Sequence, residues 1–201
     1  IPATFGYIHT RVNYDVLTYL PDNIETMKGQ DILVNDFGTG AFSMFIVDGM
    51  EDKDVAKLKA EIETIDHVHK VLWYDSIADI SIPKSMLPSE VYNTFNSETG
   101  TMMGIFFDEG TSSDGTMNAI EEIRSLAGKQ CFLSGMSAVV TDTKNLAEKE
   151  TPVYVLIAVI LAVVVLAVTM DSFFVPLLFM LSIGIAILYN LGSNYFLGEI
   201  S

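Results

Sequence analysis

Val153-Tyr-Val-Leu-Ile-Ala-Val-Ile-Leu-Ala-Val-Val-Val-Leu-Ala-Val168 is apolar on every side of any helix drawn through it. A core helix of a soluble domain keeps one polar face, and a chain of 201 residues has no interior large enough to surround this one. Spanning a hydrocarbon core of roughly 30 Å takes about 20 helical residues, with a range of about 17 to 25. No charged side chain occurs from Val153 to Thr169; Met170, Asp171 and Ser172 follow, and a second apolar run extends from Phe173 to Leu191. The two runs read as a membrane hairpin, with spans at 153–170 and 173–191.

Working outward, charge divides the chain sharply. All 11 Lys and Arg stand at or before Lys149, and after it the only acids are Glu150, Asp171 and Glu199. The net charge of −15 therefore belongs almost wholly to the first three quarters of the sequence. Such an acidic region repels phosphate backbones and anionic lipid surfaces, which excludes nucleic acid as a partner. The connection at 170–172 carries no Lys or Arg, so charge does not orient the hairpin. The N-terminal residues lack the basic and then apolar pattern of a signal peptide. An upstream transmembrane helix in a longer protein is the expected export signal, and residues 1–40 are expected to be an adaptor after it.

Within residues 1–40, Arg11 to Pro21 opens with the alternation of a short extended segment, and Glu25–Phe37 reads as a helix stopped by Gly38-Thr39-Gly40. From residue 41 strands and helices alternate. Ala41–Val47 is a strand; Asp52 to Asp66 carries Val55, Leu58, Ile62 and Ile65 at helical spacing; Val68 to Tyr74 is a strand again. After a mixed connection with a short helix at Ser89–Phe95, the order repeats. Thr101–Phe107 is a strand, Met117, Ile120, Ile123 and Leu126 mark a helix, and Gln130–Leu133 is a strand. Two tandem β-α-β units predict an α+β fold: a ferredoxin-like, split β-α-β sandwich over 41–137, with four strands in one sheet and both helices on one face. The polar segment 138–152 is expected to be a connecting helix, with Asp142 as a cap and Pro152 in the first turn of the membrane helix.

These strings carry a family likeness. Val12-Asn-Tyr-Asp-Val-Leu-Thr-Tyr-Leu-Pro-Asp22, the inserted sandwich, Gly135-Met-Ser-Ala138 with Asp142, Pro176-Leu-Leu-Phe179, Tyr189-Asn-Leu-Gly192 and Phe196-Leu-Gly-Glu-Ile-Ser201 together resemble the MMPL branch of the resistance-nodulation-division (RND) exporters. The resemblance implies a proton-driven transporter of two related halves, each with one membrane helix, an extracytoplasmic porter domain and five more helices. Residues 1–152 would then be extracytoplasmic, 153–170 and 173–191 the second and third helices of a multi-pass membrane protein, and 192–201 a truncated loop. The proton-relay residues of such proteins would fall on a helix after Ser201. The implied partners are membrane lipids, an amphiphilic small-molecule cargo such as a lipid or drug, and the remainder of the polypeptide, with homo-oligomerisation left open. Two other readings stand beside it: a related protein-export or sterol-sensing-like membrane protein, and a membrane-anchored binding or sensor domain.

Candidate chemical residues are few. No nucleotide-binding loop, dinucleotide fingerprint or catalytic triad is present, so no cofactor and no enzyme activity are expected. Trp73, Tyr74 and Phe106, with Met102, Met103 and Phe107, either line a passage for greasy molecules or form the sandwich core, since alternation sends half of a strand's side chains inward. His67 and His69 would share one strand face and offer half of a metal site, but no third His or Cys stands near them, so none is assigned. The acids at 48–52 and at Asp108, Glu109 and Asp114 fail EF-hand spacing and read as turn and helix-start residues. Asp171 suits the cap of the following helix, and Ser182, Gly184 and Asn190 suit helix association. Cys131 reads as an apolar strand residue.

Overall fold

The computed structural model describes residues 11–12, 20–21, 23–77, 82, 86, 88–170, 174–193 and 199–200. It divides into two compact units, one of residues 15–143 and one of residues 1–14 with 144–201.

The larger unit begins with α1 (Glu25–Phe37), a helix without buried residues that ends where Gly38 takes a left-handed φ of 63°. Glycine adopts that conformation without steric penalty, and the turn lets the Thr39 N–H reach Leu33 O at 2.9 Å. The order that follows is β2 (Ala41–Asp48), α2 (Asp52–Ile62), β3 (Val68–Leu72), α3 (Ser89–Phe95), β4 (Gly100–Phe107), α4 (Asp114–Leu126) and β5 (Cys131–Ser134). The four strands form one sheet in the order β3-β4-β2-β5, every neighbouring pair antiparallel. Each β-α-β unit is thus split by an intervening strand.

Alternation decides which side each residue takes. Along β2, Ala41, Ser43, Phe45 and Val47 are buried while the residues between them are exposed, and β4 buries Thr101, Met103, Ile105 and Phe107. Val55, Leu58 and Ile62 of α2 and Ala119, Ile120 and Ile123 of α4 join those side chains in one core. Fully burying a side chain of this size is worth about 1.5–3 kcal/mol, so this helix-covered face dominates the stability. The first turn of α4 is capped by Ser113, whose Oγ accepts the Thr116 N–H at 3.2 Å.

Several boundaries differ from expectation. The strand expected through Tyr74 stops at Leu72, because Trp73 and Tyr74 are both fully buried and consecutive residues of a strand cannot face one side. A single 3-10 turn, Tyr74–Ser76, follows. The helix expected to reach Asp66 ends at Ile62, and His67 takes a left-handed φ of 67° just before β3. Asp142 is not a cap. It lies inside a helix, where both its carboxylate oxygens accept hydrogen bonds from the Arg124 guanidinium, at 2.6 and 2.9 Å.

That helix is α5 (Met136–Thr169), 34 residues, so the connecting segment and the first apolar run are one continuous element. Its start belongs to the larger unit: Ser137, Ala138 and Thr141 are buried there, and Ser137 Oγ donates to Phe42 O at 3.3 Å. Pro152 sits in its interior, without the N–H that would bond the carbonyl four residues back, in an exposed stretch where water can serve that acceptor.

The smaller unit holds the rest of α5, then α6 (Phe174–Ser193) and a two-residue parallel pairing of β1 (Arg11–Val12) with β6 (Glu199–Ile200). Among the described residues α5 alone is long and apolar enough to cross a membrane; the apolar stretch of α6, Phe174–Asn190, is shorter. At 1.5 Å per residue the uncharged part of α5, 151–169, extends about 28 Å.

Candidate functional site

The face of the sheet opposite α2 and α4 is apolar too. Phe42, Met44 and Ile46 of β2 are 39%, 42% and 38% exposed, and Phe132 of β5 is 57% exposed. Register places Phe42 opposite Phe106, Met44 opposite Gly104 and Ile46 opposite Met102, so these side chains form cross-strand rows. The Phe42 and Phe106 rings meet at 5.0 Å with their planes tilted by 45°. Gly104 leaves a gap among them, since a Cβ there would lie 3.1 Å from the Phe42 ring. The result is a shallow hollow of about 190 Å³ walled by Phe42, Met44, Leu72, Phe95, Met102 and Phe106. A neighbouring hollow of about 230 Å³ shares Phe95 and Met102. Flat rings and flexible thioethers adapt to ligands of varied shape, and an exposed apolar patch of this kind marks an interaction surface.

Trp73 and Tyr74 are not part of it. Both are fully buried on the helix-covered side, with their rings edge to face at 4.4 Å. The Trp73 indole N–H donates to Thr101 Oγ1 at 2.7 Å, and the Tyr74 hydroxyl donates to Asp52 Oδ2 at 3.2 Å. Burial first, and the nearby Asp52 and Asp75 carboxylates after it, hold the Tyr74 hydroxyl well above the ordinary tyrosine range. Of the three residues singled out as a path, only Phe106 reaches the open face. Phe42, Met44, Ile46 and Phe132 were not singled out. Their signal was a strand apolar at consecutive positions, where a one-sided sheet would show polar residues outward.

A family model, that of the MMPL family, matches residues 97–201, just over half of the chain. The chain belongs to the MMPL family. No curated protein matches it. The MMPL family is one of RND-type membrane transporters, which agrees with a helix able to span a membrane and with a non-enzymatic role. The matched region opens just before β4 and takes in Met102, Phe106 and Phe132 of the open face.

Elsewhere in this MMPL chain, His67 and His69, for which no metal site was expected, have different neighbours. His67 precedes β3 and meets Asp108 and Glu109, whereas His69 lies near Gly38, its Cε1 3.4 Å from where a Cβ would stand. Asp52 and Asp114 occupy first turns of α2 and α4, where carboxylates favour the helix dipole. Cys131 is half-buried in β5, and burial raises its thiol pKa, leaving little thiolate to react. Ser182, Gly184 and Asn190 lie along α6. Asp171 and its turn are outside the described residues.

Proposed function

We propose that this chain is part of a proton-motive-force-driven exporter of lipids, drugs or other amphiphilic molecules, with residues 41–137 its ferredoxin-like porter domain. The observation that carries the cargo assignment is the open sheet face: six partly exposed apolar side chains of β2, β4 and β5, of which Phe42, Met44, Met102 and Phe106 surround the hollow at Gly104. Membership of the MMPL family supports the transport class, and the split strand order β3-β4-β2-β5 supports the ferredoxin-like description. In this reading Phe106 and its neighbours Phe42 and Met102 contact the cargo. Trp73 and Tyr74 hold the sandwich behind them.

The apolar stretches of α5 and α6 act as the second and third membrane helices of a multi-pass protein in the cytoplasmic membrane, and residues 1–152 stand on the extracytoplasmic side. α5 is helical from Met136 to Thr169, and in this reading helix motion passes along it to the porter domain. Each proton falling through 100 mV releases about 2.3 kcal/mol, supplied through carboxylates on a helix beyond Ser201. The test is export by the full-length protein of a fluorescent amphiphile from membrane vesicles. An ionophore that collapses the proton gradient stops it if the reading is right; export that continues under a collapsed gradient refutes the energy source.

A further inference from the structure

Three side chains with metal-binding atoms meet at one edge of the sheet. His67 stands in the turn before β3, and Asp108 and Glu109 follow β4 directly. His67 Nδ1 lies 3.3 Å from Asp108 Oδ1 and 3.4 Å from Glu109 Oε1, and the ligand atoms of all three residues fall within 4.8 Å of one another. A tetrahedral ion bound at about 2.0–2.2 Å sets its ligand atoms about 3.3–3.6 Å apart. Two of the three edges already have that length. Nδ1 of an imidazole carries at most one proton and cannot give a full hydrogen bond to two carboxylates at once, whereas its lone pair and theirs can share one cation.

The surroundings hold this arrangement. The Asp108 N–H donates to His67 O at 3.2 Å, joining the two loops through the backbone. The left-handed φ of 67° at His67 and the register shift between Val68 and Lys70 break the strand alternation that would otherwise set the ring's direction. Gly115, in the first turn of α4, leaves the space: a Cβ there would overlap the Glu109 carboxylate and stand 2.8 Å from His67 Cγ. The three side chains are 40%, 49% and 42% exposed, so water can fill the outer coordination positions. One nitrogen and two carboxylate oxygens suit zinc-class ions better than calcium, which takes oxygen ligands alone.

We propose that His67, Asp108 and Glu109 form a three-ligand site for a divalent transition-metal ion of the zinc class, clasping the turn before β3 to the loop after β4. The site stands on this geometry and is independent of the transport reading. The test uses the full chain in detergent, free of any affinity tag, titrated with Co²⁺ as a spectroscopic probe and then with Zn²⁺. One equivalent of Co²⁺ at micromolar concentration gives a visible absorption band that Zn²⁺ displaces. His67→Asn keeps a residue tolerant of the left-handed backbone and weakens binding by about tenfold or more; Gly115→Ala, which displaces the Glu109 carboxylate, does the same. His69→Asn leaves binding unchanged. Circular dichroism confirms that the variants are folded. The proposal is overturned if no band forms at micromolar metal, or if His67→Asn binds as tightly as the parent or His69→Asn loses as much.

Discussion

Trp73→Phe separates a core residue from a cargo-path residue. The substitution removes one hydrogen bond, the indole N–H to Thr101 Oγ1 at 2.7 Å, and part of a side chain that is fully buried. A neutral buried hydrogen bond contributes about 0.5–1.5 kcal/mol net. The Thr101 hydroxyl is not orphaned, because it still donates to Phe95 O at 3.0 Å, so the full penalty of an unsatisfied polar group does not apply. The space left by the smaller ring adds about 1–2 kcal/mol, at the low end of large-to-small core changes because an aromatic ring remains. The sum is about 1.5–3.5 kcal/mol, which lowers the unfolding midpoint of a domain of this size by on the order of 10 °C. The assay is thermal unfolding in detergent by circular dichroism, paired with export per folded molecule in the full-length protein. The expected result is a lower midpoint with export per folded molecule retained. An unchanged midpoint with export lost would place Trp73 in the path and refute its assignment to the core.

Other expectations follow from the same faces and turns. Phe106→Ser lowers amphiphile export while costing no more than about 1–2 kcal/mol, since it gives up a half-exposed ring and its contact with Phe42; export and unfolding measured together check it. Gly135→Ala is costly, about 1–3 kcal/mol by urea unfolding, because a side chain at φ 122° is strained and its Cβ would lie 3.1 Å from Ser43 Cα. Leu161→Arg, in the uncharged part of α5, adds about 3–4 kcal/mol to the cost of membrane insertion, and carbonate extraction should then find the protein poorly integrated. Because the folded-state pKa of Tyr74 is raised, the stability it contributes is complete below the ordinary tyrosine value of about 10 and is lost as pH rises above it; Tyr74→Phe should flatten that alkaline decline in unfolding midpoints.

Local patterns were legible wherever one neighbour sufficed. The helices Glu25–Phe37 and Ser89–Phe95 have the ends that their flanking Gly38 and Pro88 suggest, and the strands begin or end within a residue or two of the alternating runs. Length and composition alone marked the apolar part of α5. What escaped depended on contacts distant in sequence. The burial of Trp73 and Tyr74 together requires a break in the strand, set by partners at Thr101 and Asp52. The meeting of His67 with Asp108 joins residues 41 apart, and the left-handed backbone that permits it falls on a histidine, not on a glycine that would have signalled it. Asp142 reads as a cap beside its own neighbours, but its partner is Arg124 of another helix. Pro152 suggested a helix start, yet an exposed helix can carry a proline in its interior when water takes the freed carbonyl.

The open face as the cargo surface is tested most directly by photolabelling with a diazirine-bearing amphiphile, in membranes that carry the full-length protein. Mapping the label along Gly100–Phe107 compares neighbouring side chains on opposite sides of one strand. Label is expected on Met102 and Phe106 and none on Met103 or Phe107, which are fully buried behind the sheet. Label on Met103 and Phe107, or on no residue of this strand, would contradict it.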